Sequence, residues 1–484
     1  GLIELSGLAL KSAERLEMDP LVIAGGSCAV NPEPMAPFFD AFLIGDGEEA
    51  ISEIMGVLKE RRAGLVDRAG ALKRLSSISG MYVPSVHDPS TDRIRRRILK
   101  DLGDFPASFR HECIPLVECV HDRAVVEVMR GCDRGCRFCQ AGYINRPVRE
   151  RKGSEVAEAA MRSAARGGYD EVSLLSLSTA DYSAIGRLAD ALAPELRQRG
   201  VALSLPSLRI DAFSIDLAKK VGSHRRTGLT FAPEAGTQRM RDVINKGVTE
   251  EDLMAAARAA FESGWEQIKL YFMIGLPYES QEDVQGIADL TMKVLMLGRD
   301  IAARNGRPPS RIRISVSVGT LIPKPHTPFQ WLGLERPETV EAKKSMLRGL
   351  LRRKDIALSV SDGFTSKLEA LLSRGGRGIS EVILRAYRLG ARFDGWGECI
   401  MPGHWLKALA DEGLDLEIES SRSFSLDERL PWGHIDTGVD LAYFREELER
   451  ARRAELTPDC REGGCTLCGV CIEGIGNMIS GPEV

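Results

Sequence analysis

Gly131-Cys132-Asp133-Arg134-Gly135-Cys136-Arg137-Phe138-Cys139 sets three cysteines in a Cys-x3-Cys-x2-Cys spacing, with an aromatic residue just before the last thiol. Three soft thiolates within eight residues suit three corners of a cubane [4Fe–4S] cluster. The fourth iron then lacks a protein ligand and can chelate a small molecule, as an open position does on any catalytic metal. A structural zinc site usually recruits two separated pairs, and no second pair lies close by. Gly131 and Gly135 allow backbone to approach a bulky cofactor.

Working outward, Val125-Val126-Glu127-Val128-Met129 reads as a strand leading straight into this loop. Further strands are expected at 171–177, 202–205, 228–232, 267–273 and 311–318, with helical stretches between them. Thr249 opens one such helix, and Glu250, Glu251 and Asp252 complement the dipole of its first turn. Six strands with helical crossovers predict an α/β fold, a partial (β/α)6 relative of the TIM barrel. Chemistry in such barrels sits at the carboxyl ends of strands, which is where the cysteine loop falls. Upstream, Pro20–Gly26 and Ala41–Ile44 read as strands ending in glycine turns, the second followed by a helix, as in a doubly wound Rossmann-like sheet.

The cysteine run resembles the signature of the radical S-adenosylmethionine (SAM) enzymes. That resemblance implies that Cys132, Cys136 and Cys139 ligate a [4Fe–4S] cluster and that SAM chelates its open iron. Reductive cleavage then yields a 5′-deoxyadenosyl radical, and Phe138 lies against the adenine. Other SAM contacts are expected at the strand ends. Ser178 and Asp181 stand where many such families carry Gly-Gly-Glu. Arg209 suits a carboxylate. Pro233-Glu234-Ala235-Gly236 is similar to the Glu-Ser-Gly element of the methylthiotransferase-like branch, which gives Glu234 a SAM contact. Gly275-Leu276-Pro277 is similar to that branch's turn beside adenine. His326, in a proline-rich stretch after the sixth strand, reads as structural.

The first 60 residues look like the second half of a cobalamin-binding domain, so cobalamin is an expected ligand; the usual Asp-x-His-x2-Gly motif is absent, and a ligand-free α/β domain is the alternative. Cys460, Cys465, Cys468 and Cys471 form a complete four-thiolate set in the tail. Two consecutive x2 gaps favour an auxiliary iron–sulfur cluster over zinc. The expected organisation is 1–60 cobalamin-binding-like, 61–122 bridging, 123–345 barrel, 346–456 a small α+β region and 457–484 a cysteine-rich metal-binding tail.

Composition sets the remaining bounds. The net charge of −4 gives no global field for nucleic acid or anionic lipid. Seven of the 11 cysteines fall in the two clusters, which suits metal in a reducing cytoplasm better than disulfides. No apolar run is long enough for a membrane helix. The chain opens without Met in what reads as mid-domain, so it is expected to be a piece of a longer one. The expected function is radical SAM chemistry, methyl transfer or sulfur insertion, on an unknown substrate such as RNA or protein, with a flavodoxin- or ferredoxin-type electron donor. The alternative is a metal-stabilised RNA- or ribosome-binding module without chemistry.

Overall fold

The computed structural model describes residues 1–107, 116–117, 119–205, 210, 229–461, 463–472 and 474–484. Short aliphatic runs make the first sheet. Ile23–Gly25 (β1) and Ala41–Leu43 (β2) pair in parallel, and Met81–Tyr82 (β3) adds to β2 antiparallel. A doubly wound parallel sheet was the expectation. The third strand comes instead from beyond residue 60, because helix Arg68–Leu75 turns the chain back along the free edge.

Seven parallel strands follow among the described residues. Ala124–Glu127 (β4), Glu171–Leu175 (β5) and Ala202–Ser204 (β6) form one sheet. Leu229–Glu234 (β7), Gln267–Ile274 (β8), Arg313–Thr320 (β9) and Ile356–Val360 (β10) form the other. The six expected strands are present. β10 is additional, and it carries the sheet past the boundary expected at residue 345.

One face of β8 presents Ile268, Leu270, Phe272 and Ile274, which pack on Phe261, Val284 and Ile287 of helices Glu250–Glu262 and Gln281–Arg304. Both helices begin with capping boxes, Thr249 with Asp252 and Ser280 with Asp283. The opposite face of β8 leaves Tyr271 exposed, with the Lys269 ammonium 4.6 Å from its ring centroid. Val125 and Leu175 are exposed on the corresponding face of the first sheet. A filled barrel buries such residues. On this face these side chains remain accessible.

Beyond β10 the chain is mainly helical, with a separate core around Leu368, Val382, Trp405 and Leu409. Ile435–Asp436 returns to pair with Ile94–Arg95 of the bridging segment. No helix among the described residues is long and apolar enough to cross a membrane.

Candidate metal centre and cofactor site

The cysteine loop is held by residues far away in sequence. Gly131 adopts φ +93°, and a β-carbon there would stand 2.4 Å from the Pro147 carbonyl, so no other residue fits. The Arg137 side chain, fully buried, donates to the Asp242 and Val243 carbonyls at 2.9 Å and pairs with Glu447 at 3.0 Å. The Asn245 amide donates to the Gly135 carbonyl at 3.2 Å and to the Thr457 carbonyl at 3.1 Å. The Tyr143 hydroxyl donates to the Gly135 carbonyl at 3.1 Å.

These anchors keep the three thiols within electrostatic range of one another. Burial, and then the neighbouring Cys136, pushes the Cys132 thiol up to about 12 and the Cys139 thiol up to about 11. Backbone N–H groups of Arg134 and Gly142 donate to the Cys132 and Cys139 sulfurs, respectively. Such thiols become ligands only when cationic metal offsets the thiolate charge. Among the described residues, no three His, Cys, Asp or Glu side chains converge closely enough to hold one metal ion.

The expected SAM contacts divide into two groups. Glu234 ends β7 beyond a bulge, where the register shifts between Phe231 and Glu234, and it holds φ +68°. Its carboxylate receives the Lys246 ammonium at 3.1 Å, and both groups act electrostatically on Cys139. Gly275 ends β8 with φ +74°, and its N–H donates to Glu279 at 2.9 Å; Lys343 braces that carboxylate at 2.7 Å. Phe138 packs on the apolar cluster that contains Ala235 and Leu276, the neighbours of these two residues. The cluster loop and the ends of β7 and β8 therefore meet.

The Ser178 hydroxyl donates to Asp181 at 2.6 Å, and the Arg134 guanidinium donates to the same carboxylate at 3.0 Å. Through Arg134 this carboxylate is tied to the cysteine loop. Arg209 lies outside the described residues.

Positive φ at residues other than glycine marks backbone strain that clusters at functional sites. Glu234, at +68°, is the last residue of β7, and Tyr278 and His326, at +65° and +56°, come after the ends of β8 and β9. His326 is buried and shares a 2.9 Å hydrogen bond with the Val30 carbonyl, tying the first domain to the barrel rim. The Gln140 amide, one residue past Cys139, reaches the Pro325 carbonyl at 3.0 Å.

The tail lies against the same loop. Asp133 pairs with Arg461 at 3.1 Å, and Arg134 pairs with Asp459 at 3.2 Å. Its four thiols influence one another, and burial raises those of Cys460 and Cys471. The Leu467 N–H donates to the Cys465 sulfur at 3.4 Å, and the Asn477 side chain donates to the Cys460 sulfur at 3.3 Å. This is a donor-rich nest for thiolates.

The Gly45–Gly47 turn of the cobalamin-binding-like segment is filled by protein. A β-carbon at Gly45 would meet the Arg97 carbonyl at 2.1 Å, and Asp46 pairs with Arg149 at 2.6 Å and Arg130 at 2.8 Å. The Gly26 turn is open. A cavity of about 750 Å³ lies near Trp265 and Gln267, at the amino end of β8. It touches none of the residues above, and barrel chemistry belongs at the other end.

Sequence reasoning missed Lys246, Asn245 and the clasp in which Arg461 pairs with Asp133 and Asp459 with Arg134. Asn245-Lys246 follows a short helix, and nothing local marks it as adjacent to the cysteines.

Comparison with known proteins agrees with this geometry. Residues 1–84 match the family model described as radical SAM proteins, N-terminal, and residues 126–291 match the radical SAM superfamily. An uncharacterized protein of Methanocaldococcus jannaschii is 29% identical over 376 residues, covering 77% of this chain and 75% of that one. A tRNA-2-methylthio-N(6)-dimethylallyladenosine synthase of Desulforamulus reducens is 26% identical over 195 residues, covering 38% of this chain and 42% of the synthase. Among solved structures, the radical SAM methyltransferase TsrM of Kitasatospora setae aligns with a TM-score of 0.46 and 14% identity, covering 77% of this chain and 82% of that one. The two family models take in more than half of the residues, and the chain belongs to the radical SAM superfamily, enzymes that use a [4Fe–4S] cluster and SAM.

Proposed function

We propose that Cys132, Cys136 and Cys139 hold the [4Fe–4S] cluster at which this radical SAM enzyme binds SAM. The observation that carries the assignment is their shared placement: three mutually coupled thiols on one anchored loop, just after β4, facing the ends of β7 and β8. Family membership sets aside the binding module without chemistry. Cluster and SAM together supply a 5′-deoxyadenosyl radical. Glu234 and Lys246 orient the amino-acid end of SAM, the Gly275 turn and Phe138 flank its adenine, and the open barrel face with Lys269 and Tyr271 receives the substrate. Ser178 and Asp181 position the loop through Arg134.

Cys460, Cys465, Cys468 and Cys471 hold a second iron–sulfur cluster. With four thiols it has no open corner, so its role is to carry electrons. A flavodoxin- or ferredoxin-type protein supplies them, in the cytoplasm, where free cysteines persist. Similarity to the tRNA-modifying synthase supports RNA as the substrate class. If cobalamin binds, the open Gly26 turn is where its tail has room.

Anaerobic reconstitution followed by dithionite reduction tests the assignment. The wild type is expected to convert SAM to 5′-deoxyadenosine, faster with bulk tRNA than with peptide. C132A, C136A and C139A should each abolish the product. Full turnover in any of the three would sink the assignment.

A further inference from the structure

A cavity of about 410 Å³ opens where three parts of the chain meet. The first domain contributes Glu33, the bridging segment Asp88 and Ser90, and the C-terminal region Arg377, Arg429 and His434. None of the cysteines lines it.

Gly376 and Arg377 also border the cavity with their backbone, in the turn Gly375-Gly376-Arg377-Gly378 that leads into helix Ile379–Leu389. Among the described residues, the N–H groups of Gly376, Arg377 and Gly378 donate to no protein acceptor, and no side chain caps the helix. Successive unengaged N–H groups at a helix N-terminus form a cradle for an anion.

Two side chains add donors. Arg429 gives its Nη1 to the Ser90 carbonyl at 2.6 Å, and among the described residues no carboxylate pairs with it. His434 is 1% exposed, and its Nε2 has no hydrogen-bond partner, the nearest Glu33 oxygen lying 3.4 Å away. Glu33 would oppose an anion, but its carboxylate is engaged by the Tyr82 hydroxyl at 2.7 Å and Arg377 Nε at 2.9 Å. The other carboxylate, Asp88, is exposed and accepts the Ser90 N–H at 2.7 Å. Pro89, Leu430 and Pro431 supply an apolar wall, which leaves room for an organic group beside the anion.

We propose that this cavity binds a small phosphomonoester, its phosphate held by the N–H groups of Gly376, Arg377 and Gly378 and by the side chains of Arg429 and His434. Three terminal oxygens let a phosphate use more of these donors than a carboxylate can. A ligand so held fastens the first domain to the C-terminal region.

Calorimetric titration of the whole chain tests the site, with ribose 5-phosphate as the probe. Ribose, acetate, inorganic phosphate and a 5′-hydroxyl uridine hexanucleotide serve as comparisons. Ribose 5-phosphate should bind, inorganic phosphate more weakly, and ribose and acetate not measurably. R429Q should weaken ribose 5-phosphate by about tenfold or more, and R429K should stay within about threefold of wild type. No binding of ribose 5-phosphate overturns the proposal, as does equal binding of acetate or of inorganic phosphate. Binding of the hexanucleotide alone also overturns it, since the site would then read an RNA backbone. Unchanged affinity in a folded R429Q places the ligand elsewhere and overturns it too. If R429Q does not fold, hydrogen–deuterium exchange of the wild type decides. The amides of residues 376–378 should exchange more slowly with ribose 5-phosphate present, and unaltered exchange there overturns the assignment.

Discussion

His326 carries a pH dependence that can be worked out from its surroundings. Burial holds its imidazole down to about 4, against an ordinary value near 6.5, and the neighbouring His434 is lowered in the same direction by its own burial. Arg96 and Asp436 also face His326, with opposing effects. Between these two values the unfolded chain binds a proton that the folded chain refuses. Stability from this residue is therefore complete above about pH 6.5 and falls as the pH drops toward 4, by about 3 kcal/mol in all. H326N tolerates the positive φ but loses the bond to Val30. It should be about 1–2 kcal/mol less stable at pH 7.5, and its stability should fall less steeply between pH 6.5 and 4. His434 keeps the slope from vanishing. Urea titrations of both proteins across this range check the expectation, and equal slopes would contradict it. The sequence favours a structural histidine at 326 over a substrate contact. It did not disclose the partner, because Val30 lies 296 residues away.

At the level of elements, the helices behind the barrel depend on one glycine. Gly298, inside helix Gln281–Arg304, faces Phe261 of helix Glu250–Glu262, and a β-carbon there would stand 2.6 Å from the ring. The close helix contact leaves no room for the methyl group. G298A should cost about 1–3 kcal/mol of stability through overpacking, although alanine is the better helix former. Denaturant unfolding measures the loss, and F261L in the same chain should recover part of it. A stabilised G298A would mean that the helices separate easily. The strands themselves were largely legible, because buried parallel strands read as aliphatic runs bounded by glycine and charge. β10 was not, since Ile356, Leu358 and Val360 alternate with Ala357 and Ser359 directly after the charged stretch Arg352–Asp355. It is an edge strand with a half-exposed face, and its signal is correspondingly weak. The bulge that aims Glu234 was equally hidden, because one extra residue in a strand leaves no compositional mark.

At the level of the whole molecule, the tail closes over the cluster loop, joining chain ends that sequence order keeps apart. The cysteine spacings pointed to two candidate metal sites but not to their shared wall, because ion pairs such as Asp133–Arg461 form only once the barrel has folded. Beyond those pairs, the Thr457 N–H donates to Asn245 at 2.9 Å, and Met478 exchanges backbone bonds with Val148 and Glu150 at 2.8 Å. The last residues reach Gly153, where the helix Gly153–Arg166 begins. Removing residues 457–484 therefore takes Arg461 from Asp133, Asp459 from Arg134 and Thr457 from Asn245, and lets more water reach a loop whose cysteines are half-buried. Asp133 has only 4% of its side chain exposed, and losing the partner of so buried a charge costs about 3–5 kcal/mol before water relieves it. A chain ending at residue 456 should hold almost no iron and form no 5′-deoxyadenosine, although Cys132, Cys136 and Cys139 are intact. C465S/C468S/C471S keeps the clasp and removes only tail ligands, so it should retain the loop cluster and its SAM cleavage in the dithionite assay. Iron analysis and product formation on the two proteins separate clasp from ligand. If the truncated chain kept a full loop cluster, the tail would be an independent module, and the coupling of the two sites through their shared wall would have no structural basis.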